Sequence, residues 1–242
     1  MKAILLAAGR GTRIARHVEM VPKSTLLING VPLIRRSVEL LQSHGIECVV
    51  CTGYKEQQVQ DALAGLNNIT YYYNPFFDIT NSISSLWFAR EELNQELLVM
   101  NADVFFSEEI LELVIHDERD PVMAIDYSRV KEGDYFFYTG ADGSIEKYGK
   151  ELPLEQRTCE YVGMAKIGKD FLAQFVQRMD EMIRTQKYNA WWENVLYSFT
   201  DENEQNIYTV DVGGRFWAEI DFLDDYERII NYVSGKKNKK EN

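Results

Sequence analysis

Four cations in one short stretch are the first residues of this chain that could do chemistry: Arg10, Arg13, Arg16 and, after Val21 and Pro22, Lys23. They follow an apolar run, Lys2 to Ala7, that breaks into Ala8, Gly9 and Gly11. Glycines let backbone N–H groups approach an anion closely, and fixed guanidinium and ammonium charges neutralise it. The stretch reads as an anion site. The whole chain carries 26 Lys and Arg against 38 Asp and Glu, a net charge of −12, yet residues 1–36 hold seven Lys or Arg and a single acid, Glu19. So acidic a protein is a poor surface for nucleic acid, and a basic head at one end points to a small polyphosphate or a phosphorylated metabolite. The plainer alternative is a solvated basic helix face.

Acidic, thiol and aromatic candidates come next. Asp103 follows the apolar run Leu97 to Met100 and would stand at a strand's carboxyl end, facing the glycine loop. An Asp there is ordinarily a helix cap, but Ser107 and Glu108 offer a better one. Cys48 and Cys51 form a C-x-x-C inside an apolar run with no second pair downstream, so they read as core thiols rather than a zinc or redox site. With Cys159 they make three, which cannot pair off completely and fit a reducing cytoplasm. His17, His44 and His116 are scattered, so no histidine metal cluster is expected. Tyr161, Tyr188, Trp191, Trp192 and Trp217 could assemble a wall for a cation, since ring faces attract quaternary ammonium by about 0.5 to 2 kcal/mol per contact. Glu193 would add a counter-charge. Aromatic residues at helical spacing, however, belong more often to a core.

These residues need elements to hold them. Apolar runs predict strands over Lys2 to Ala7, Ile46 to Thr52, Ile69 to Tyr73, Glu96 to Met100 and Pro121 to Ile125. Three-to-four spacing predicts helices between them, over Leu33 to His44, Glu56 to Leu66, Ile83 to Leu93 and Glu108 to Ile115. Alternation of this kind means an α/β fold: a Rossmann-like, mixed but mostly parallel sheet flanked by helices, which binds ligands beyond the strands' carboxyl ends. The second half changes style. A hairpin (Tyr135 to Thr139 and Ile145 to Tyr148), a strand from Tyr161, a long helix from Lys169 and an aromatic helix over Tyr188 to Thr200 suggest a small β-hairpin and helical lid insertion. Strands are expected over Ile207 to Val212 and Phe216 to Ile220, and a closing helix over Leu223 to Val233. A length of 242 residues with 45% hydrophobic content suits one domain, residues 1–234, and the basic stretch 235–242 is expected to be disordered. No run reaches membrane-spanning length, and the opening apolar run breaks too early for a signal peptide.

The glycine loop lacks the third glycine of G-x-G-x-x-G, two arginines crowd its turn, and no acidic residue ends the second strand to hold a ribose. A P-loop pattern is absent. What the loop resembles is the nucleotidyltransferase (NTP transferase) family acting on sugar phosphates and choline phosphate. Its opening A-A-G-x-G-[ST]-R, short gap and P-K stand here as Ala7-Ala8-Gly9-Arg10-Gly11-Thr12-Arg13 and Pro22-Lys23. In place of the Q-x-G-T-A-type segment of sugar-nucleotide members, the chain has Asp78 to Leu86. With Asn101-Ala102-Asp103, Trp191-Trp192-Glu193 and Glu219-Ile220-Asp221, it looks most like the bacterial choline-phosphate and phosphonate cytidylyltransferases.

The resemblance implies an enzyme and its site. Backbone from Leu6, Ala7, Ala8, Gly9, Gly11 and Thr12 would wrap a nucleotide's phosphates, with Arg13 on the pyrophosphate and Lys23 near the α-phosphate. Asp103 and Asp221 would hold Mg²⁺, which takes oxygen ligands and needs few carboxylates. Asn81 and Ser82 would contact base or ribose, or simply cap the helix that follows. Tyr161, Tyr188, Trp191, Trp192, Glu193 and Trp217 would receive an acceptor whose phosphate rests on Lys147 or Lys150. The implied reaction is CMP transfer from CTP to a small phosphorylated alcohol, phosphocholine foremost, with release of pyrophosphate. Another phosphorylated amine, a phosphonate or a sugar 1-phosphate would also serve as acceptor. Two rivals belong to other classes: a non-catalytic nucleotide-sensing module, which would not require both Asp103 and Asp221, and a metal-dependent glycosyltransferase. Neither nucleic acid nor membrane is expected as a partner, the compartment expected is the cytoplasm, and a homodimer is left open.

Overall fold

The computed structural model describes residues 1–11 and 21–240, the side chains of 236–240 excepted. At its centre is β1 (Lys2–Ala7), whose Ala3, Ile4 and Leu5 are fully buried. A strand covered on both faces needs a continuous apolar run rather than alternation. After it come a short antiparallel pair, β2 (Leu27–Ile28) and β3 (Val31–Pro32), then α1 (Leu33–Ser43), β4 (Glu47–Thr52), α2 (Glu56–Ala62), β5 (Ile69–Tyr73) and α3 (Ser82–Phe88). They are followed by β6 (Leu97–Asn101), β7 (Val104–Phe105), α4 (Glu108–Ile115) and β8 (Val122–Asp126). The second half adds the hairpin β9 (Phe136–Thr139) and β10 (Ile145–Gly149), then β11 (Cys159–Ile167), α5 (Lys169–Arg184), α6 (Asn194–Asp201), β12 (Tyr208–Asp211), β13 (Ala218–Glu219) and α7 (Leu223–Lys240).

β1 pairs in parallel with β4 on one side and β6 on the other, and β4 pairs with β5. Beyond β6, β11 runs antiparallel and carries β8 with its parallel neighbour β12, as well as the hairpin. The expected mixed, Rossmann-like sheet is therefore present, and the hairpin read as a lid is continuous with it. Because the chain steps from β1 to β4 and β5 and only then returns to β6, the sheet changes direction between β1 and β6. Such a switch point opens a crevice at the strands' carboxyl ends.

Alternate residues of each strand feed opposite cores. Ala3, Leu5, Cys48 and Val50 pack with Ile34 and Val38 of α1 and Ile110 of α4. Ile4, Val49 and Cys51 pack with Ile83 of α3, Phe171 of α5 and Val195 of α6. Cys48 and Cys51 thus lie on opposite faces of the sheet and cannot act as a pair, and burial pushes both thiols up to about 12. A third, smaller core joins Leu26, Ile28, Phe105, Ala218 and Ile229, docking α7 over the pairs β2–β3 and β7–β13.

Several boundaries differ from the sequence reading, the helix expected over Glu56 to Leu66 ending at Ala62 among them. The helix expected from Ile83 to Leu93 ends at Phe88, and a separate turn follows at Arg90–Glu92. The closing helix continues through Gly235 to Lys240, into the stretch expected to be disordered. The aromatic helix expected from Tyr188 begins only at Asn194. Residues 188–192 serve instead as the cap of α3: Asn81 N–H donates to Tyr188 O, Ile83 N–H to Ala190 O and Ser84 Oγ to Tyr188 O, while Trp192 N–H donates to Ser82 Oγ. The free N–H groups at a helix start must find acceptors, and here the tertiary fold supplies them as Tyr188 O and Ala190 O, from far along the chain. Trp192 is fully buried by this arrangement. Trp192→Ala is therefore expected to cost about 3–5 kcal/mol of stability in urea melts, and a loss below 1 kcal/mol would contradict its place in the core.

Candidate active site

The crevice between β1 and β6 is a cleft of about 390 Å³. Leu6 and Asn101 stand side by side in register, and Ala102 N–H donates to Leu6 O at 3.2 Å, so the glycine loop and the Asn101–Asp103 segment leave the sheet together. Loop residues Leu6, Ala7, Ala8, Gly9 and Gly11 all line the cleft. Tyr54 N–H fixes the loop's start by donating to Ala8 O at 3.0 Å. A Cβ at Gly9 would meet nothing within 4 Å, so its backbone faces open space. Gly11 is required for another reason: its φ is +59°, and a Cβ there would lie 2.4 Å from Lys23 Cγ. The Lys23 side chain runs directly across this glycine.

Beyond Gly11 the lysine reaches two carboxylates. Lys23 Nζ lies 2.5 Å from Asp221 Oδ1 and 3.5 Å from Asp103 Oδ2. The aspartates meet because β7 pairs with β13, matching Val104 to Glu219, and because Ile220 N–H donates to Asp103 O. Burial would push Lys23 down, but Asp103, Asp221 and Glu219 outweigh it and hold the ammonium above the usual lysine range. Asp103 is raised by burial, with Lys23 opposing and Asp221 adding to the shift. Glu219, half-buried, is raised well above the carboxylate range, first by desolvation and then by Asp103 and Asp221.

Further in, Asn101 orders the acidic floor. Its Oδ1 accepts from Trp192 Nε1 at 3.1 Å, which turns its amide N–H₂ toward Glu193 Oε1 at 3.4 Å and Glu219 Oε1 at 3.5 Å. Over this floor stand Tyr135, Tyr161, Trp191 and Tyr197. Tyr135 meets Trp191 edge-on at 5.9 Å and stacks on Tyr197 at 5.7 Å. Tyr161 Oη is buried with no partner at hydrogen-bonding distance. At the rim, Lys150 pairs with Asp134 at 2.5 Å and sits 5.6 Å from the Trp191 ring.

Residues 3–150 match the MobA-like NTP transferase domain. The chain belongs to the MobA-like NTP transferase family. Over 94% of its length and 98% of the relative's, it is 26% identical to the CTP:phosphoglutamine cytidylyltransferase of Campylobacter jejuni subsp. jejuni serotype O:2. It is 24% identical to the choline-phosphate cytidylyltransferase of Streptococcus pneumoniae, over 95% of this chain and 96% of that one. The solved structure of CTP:phosphocholine cytidylyltransferase from Streptococcus pneumoniae superposes with a TM-score of 0.76 at 22% identity, covering 96% of this chain and 98% of that one. The family shown by the match agrees with the resemblance carried by the glycine loop.

With this transferase fold in view, the sequence candidates sort cleanly. Lys23, Asp103, Asp221, Asn81, Ser82, Tyr161, Trp191, Glu193 and Lys150 line the cleft with the loop residues. Thr12 and Arg13, and with them Arg16, lie outside the described residues. Arg10 turns to the rim, 3.6 Å from Asp78 and over the Phe77 ring. Asn81 does cap α3, its Oδ1 accepting from Ser82 N–H at 2.8 Å, while still facing the cleft. Four acceptor candidates are corrected. Trp192 is interior, Trp217 is buried with its Nε1 on Asp126, Tyr188 is exposed outside the lining, and Lys147 points to Gln156. The wall is completed by Tyr135 and Tyr197, which nothing local in the sequence distinguishes from core aromatics. Away from the cleft, His44 Nε2 stands 3.5 and 3.6 Å from the exposed Glu108 and Glu112. Among the described residues, no helix is long and apolar enough to cross a membrane.

The buried floor carries a pH signature. Burial raises Glu193 from 4.5 to about 7, with Asn101 opposing and Asp103 adding to the shift. Between these values the folded protein keeps a proton that the unfolded chain has lost, so stability falls as pH rises through the window, by about 1.4 kcal/mol per pH unit for one proton. Glu219, raised well above the carboxylate range, steepens the fall. Glu193→Gln removes one such proton and is expected to flatten the dependence and raise stability above neutrality. Urea melts across the window check it: an unchanged slope would show that Glu193 titrates normally.

Proposed function

We propose that the chain is a cytidylyltransferase that moves CMP from CTP to a small phosphorylated acceptor with a cationic head, phosphocholine foremost, releasing pyrophosphate. The observation that carries this reading is the division of the cleft: a glycine loop with Lys23 and two aspartates at one end, buried carboxylates under aromatic rings at the other. The first end suits a triphosphate and the second suits an onium group. Preference for cytidine rests on the names of the relatives, which act on CTP with phosphoglutamine or choline phosphate.

In this reading the acceptor's phosphate oxygen attacks the α-phosphorus of CTP, the bond from that phosphorus to the bridging oxygen breaks, and pyrophosphate leaves with the electron pair. The acceptor oxygen is already anionic, so no general base is needed. Catalysis then consists of in-line positioning and charge stabilisation. Loop backbone from Ala7 to Gly11 holds the phosphates and Lys23 neutralises charge at the α-phosphate; the resemblance assigns the pyrophosphate to Arg13, which lies outside the described residues. Asp103 and Asp221 would hold Mg²⁺. The donor set fits: it is all oxygen, and it already accepts one cation, the Lys23 ammonium, between its members. When bound, the metal would spread the phosphates' negative charge as a Lewis acid.

Pyrophosphate release measured over four nucleoside triphosphates and a panel of phosphorylated acceptors tests the reading. CTP with a cationic acceptor is the expected best pair. A hexose 1-phosphate outperforming every amine would overturn the acceptor class while leaving the nucleotidyl transfer intact. Within the amines, phosphocholine is expected to outcompete phosphoethanolamine, because a methylated cation is easier to desolvate and offers more surface to the rings. Trp191→Leu should lower that preference by about 0.5 to 2 kcal/mol with CTP affinity little changed. Preference for the primary amine would instead assign Glu193 and the unpartnered Tyr161 hydroxyl as acceptors for its N–H groups, and would remove phosphocholine as the substrate.

A further inference from the structure

Lys23 is placed where two roles collide. As a phosphate-binding residue it should point into the nucleotide end of the cleft, yet its ammonium sits 2.5 Å from Asp221 and 3.5 Å from Asp103, with only 12% of the side chain exposed. We propose that Lys23 is a tethered counter-ion: in the nucleotide-free protein its ammonium fills the place between Asp103 and Asp221 that a divalent cation would take. The proposal rests on the reading of those aspartates as the metal-holding pair.

Three observations support it. The carboxylates are drawn together by the β7–β13 pairing, which holds the backbone of Asp103 and Ile220 in contact, and the half-buried Glu219 lies on the same strand beside them. Without a cation this cluster would repel itself in a poorly solvated site. Among the described residues, Lys23 is the cation within ion-pair distance of both aspartates. Its stem is also directed there by the chain: Gly11, at φ +59°, leaves the space through which Cγ, Cδ and Cε pass, the last at 3.2 Å from where a Cβ would stand. The glycine is thus needed by the lysine as well as by the anion.

Two cations cannot share that place. An ammonium and a divalent ion a few ångströms apart repel strongly in a partly buried site. Lys23 can leave the aspartates only for another anion, and the glycine loop beside it is built to receive phosphates. Arrival of a nucleotide therefore offers the lysine new partners and frees the carboxylate pair in the same event. The free protein should bind divalent metal poorly, and the lysine should be the reason.

The test uses Mn²⁺ as a spectroscopic probe on the nucleotide-free, full-length protein, with free Mn²⁺ followed by electron paramagnetic resonance. Lys23→Met and Lys23→Gln are expected to bind Mn²⁺ on the order of tenfold more tightly than the wild type. Adding Asp103→Asn to either should abolish the gain. Lys23→Gln keeps a hydrogen-bond donor and serves if the methionine variant does not fold. The melting temperature should rise with Mn²⁺ more in the variants than in the wild type. Equal Mn²⁺ affinity in wild type and variants, at a site sensitive to Asp103→Asn, would overturn the counter-ion role and leave the metal-holding pair standing. Mn²⁺ binding indifferent to Asp103→Asn in every background would remove the metal-holding pair, and the proposal with it.

Discussion

Asp103→Asn is expected to leave a folded protein whose magnesium-dependent turnover falls on the order of a thousandfold. The substitution keeps the shape of the side chain, so the β6 terminus and its contact with Ile220 should persist. What it removes is one of the two charges that would hold the metal against the phosphates. It also removes a charge from a crowded cluster of Asp103, Glu193, Glu219 and Asp221, three of which have raised affinities for protons where shifts are resolved. Relief of that repulsion offsets the loss of the longer of the two Lys23 ion pairs, so the melting temperature should hold or rise. Asp221→Asn should cost turnover similarly but gain less stability, since it weakens the 2.5 Å bond to Lys23. Steady-state pyrophosphate release at saturating magnesium, beside a thermal melt, decides the matter. Turnover near wild type in either variant would show that the pair does not hold the metal.

The second large effect belongs to Lys23. Lys23→Met is expected to lower kcat by about 10²- to 10³-fold while changing CTP affinity much less. The reason is where charge builds. In the ground state the phosphates share several partners along the glycine loop, whereas negative charge at the α-phosphate grows only as the acceptor oxygen closes in. Single-turnover rates and calorimetric CTP binding separate the two quantities. Equal losses in both would make Lys23 an ordinary ground-state contact. The same variant is expected to bind Mn²⁺ more tightly in the absence of nucleotide, so a general loss of fold or of metal could not account for both results.

The first half of the molecule was legible in the chain because its instructions are local. β1 and β5 begin and end where the apolar runs do, and α4 spans the residues that its periodicity marks. A buried parallel strand demands an unbroken apolar run, and a helix covering it demands three-to-four spacing, so both patterns can be read without knowing what they touch. The glycine loop's place beside the cleft was legible for the same reason: glycine backbone freedom acts within a few residues. Tyr188 to Glu193 show the limit. Their composition suits a helix, but the N-terminus of α3 lacked acceptors and took them from this segment, a demand that no local window contains.

The acceptor end depended on the fold still more. Trp191 and Trp192 are neighbours of the same type, yet one borders the cleft and the other is sealed beneath it with its Nε1 on Asn101. Tyr135 and Tyr197 enter the wall through the sheet-and-helix contact between β9, β10 and α6, and Trp217 leaves it because its side chain falls on the Asp126 side. Residue type and spacing determine that this chain builds a mixed, mostly parallel sheet with a glycine loop at its switch point, since those are properties of contiguous backbone. Which carboxylates and rings converge on that loop was decided by β7 meeting β13 across more than a hundred residues, because the free energy of such a pairing lies in the burial and register of both partners at once and is carried by neither segment alone.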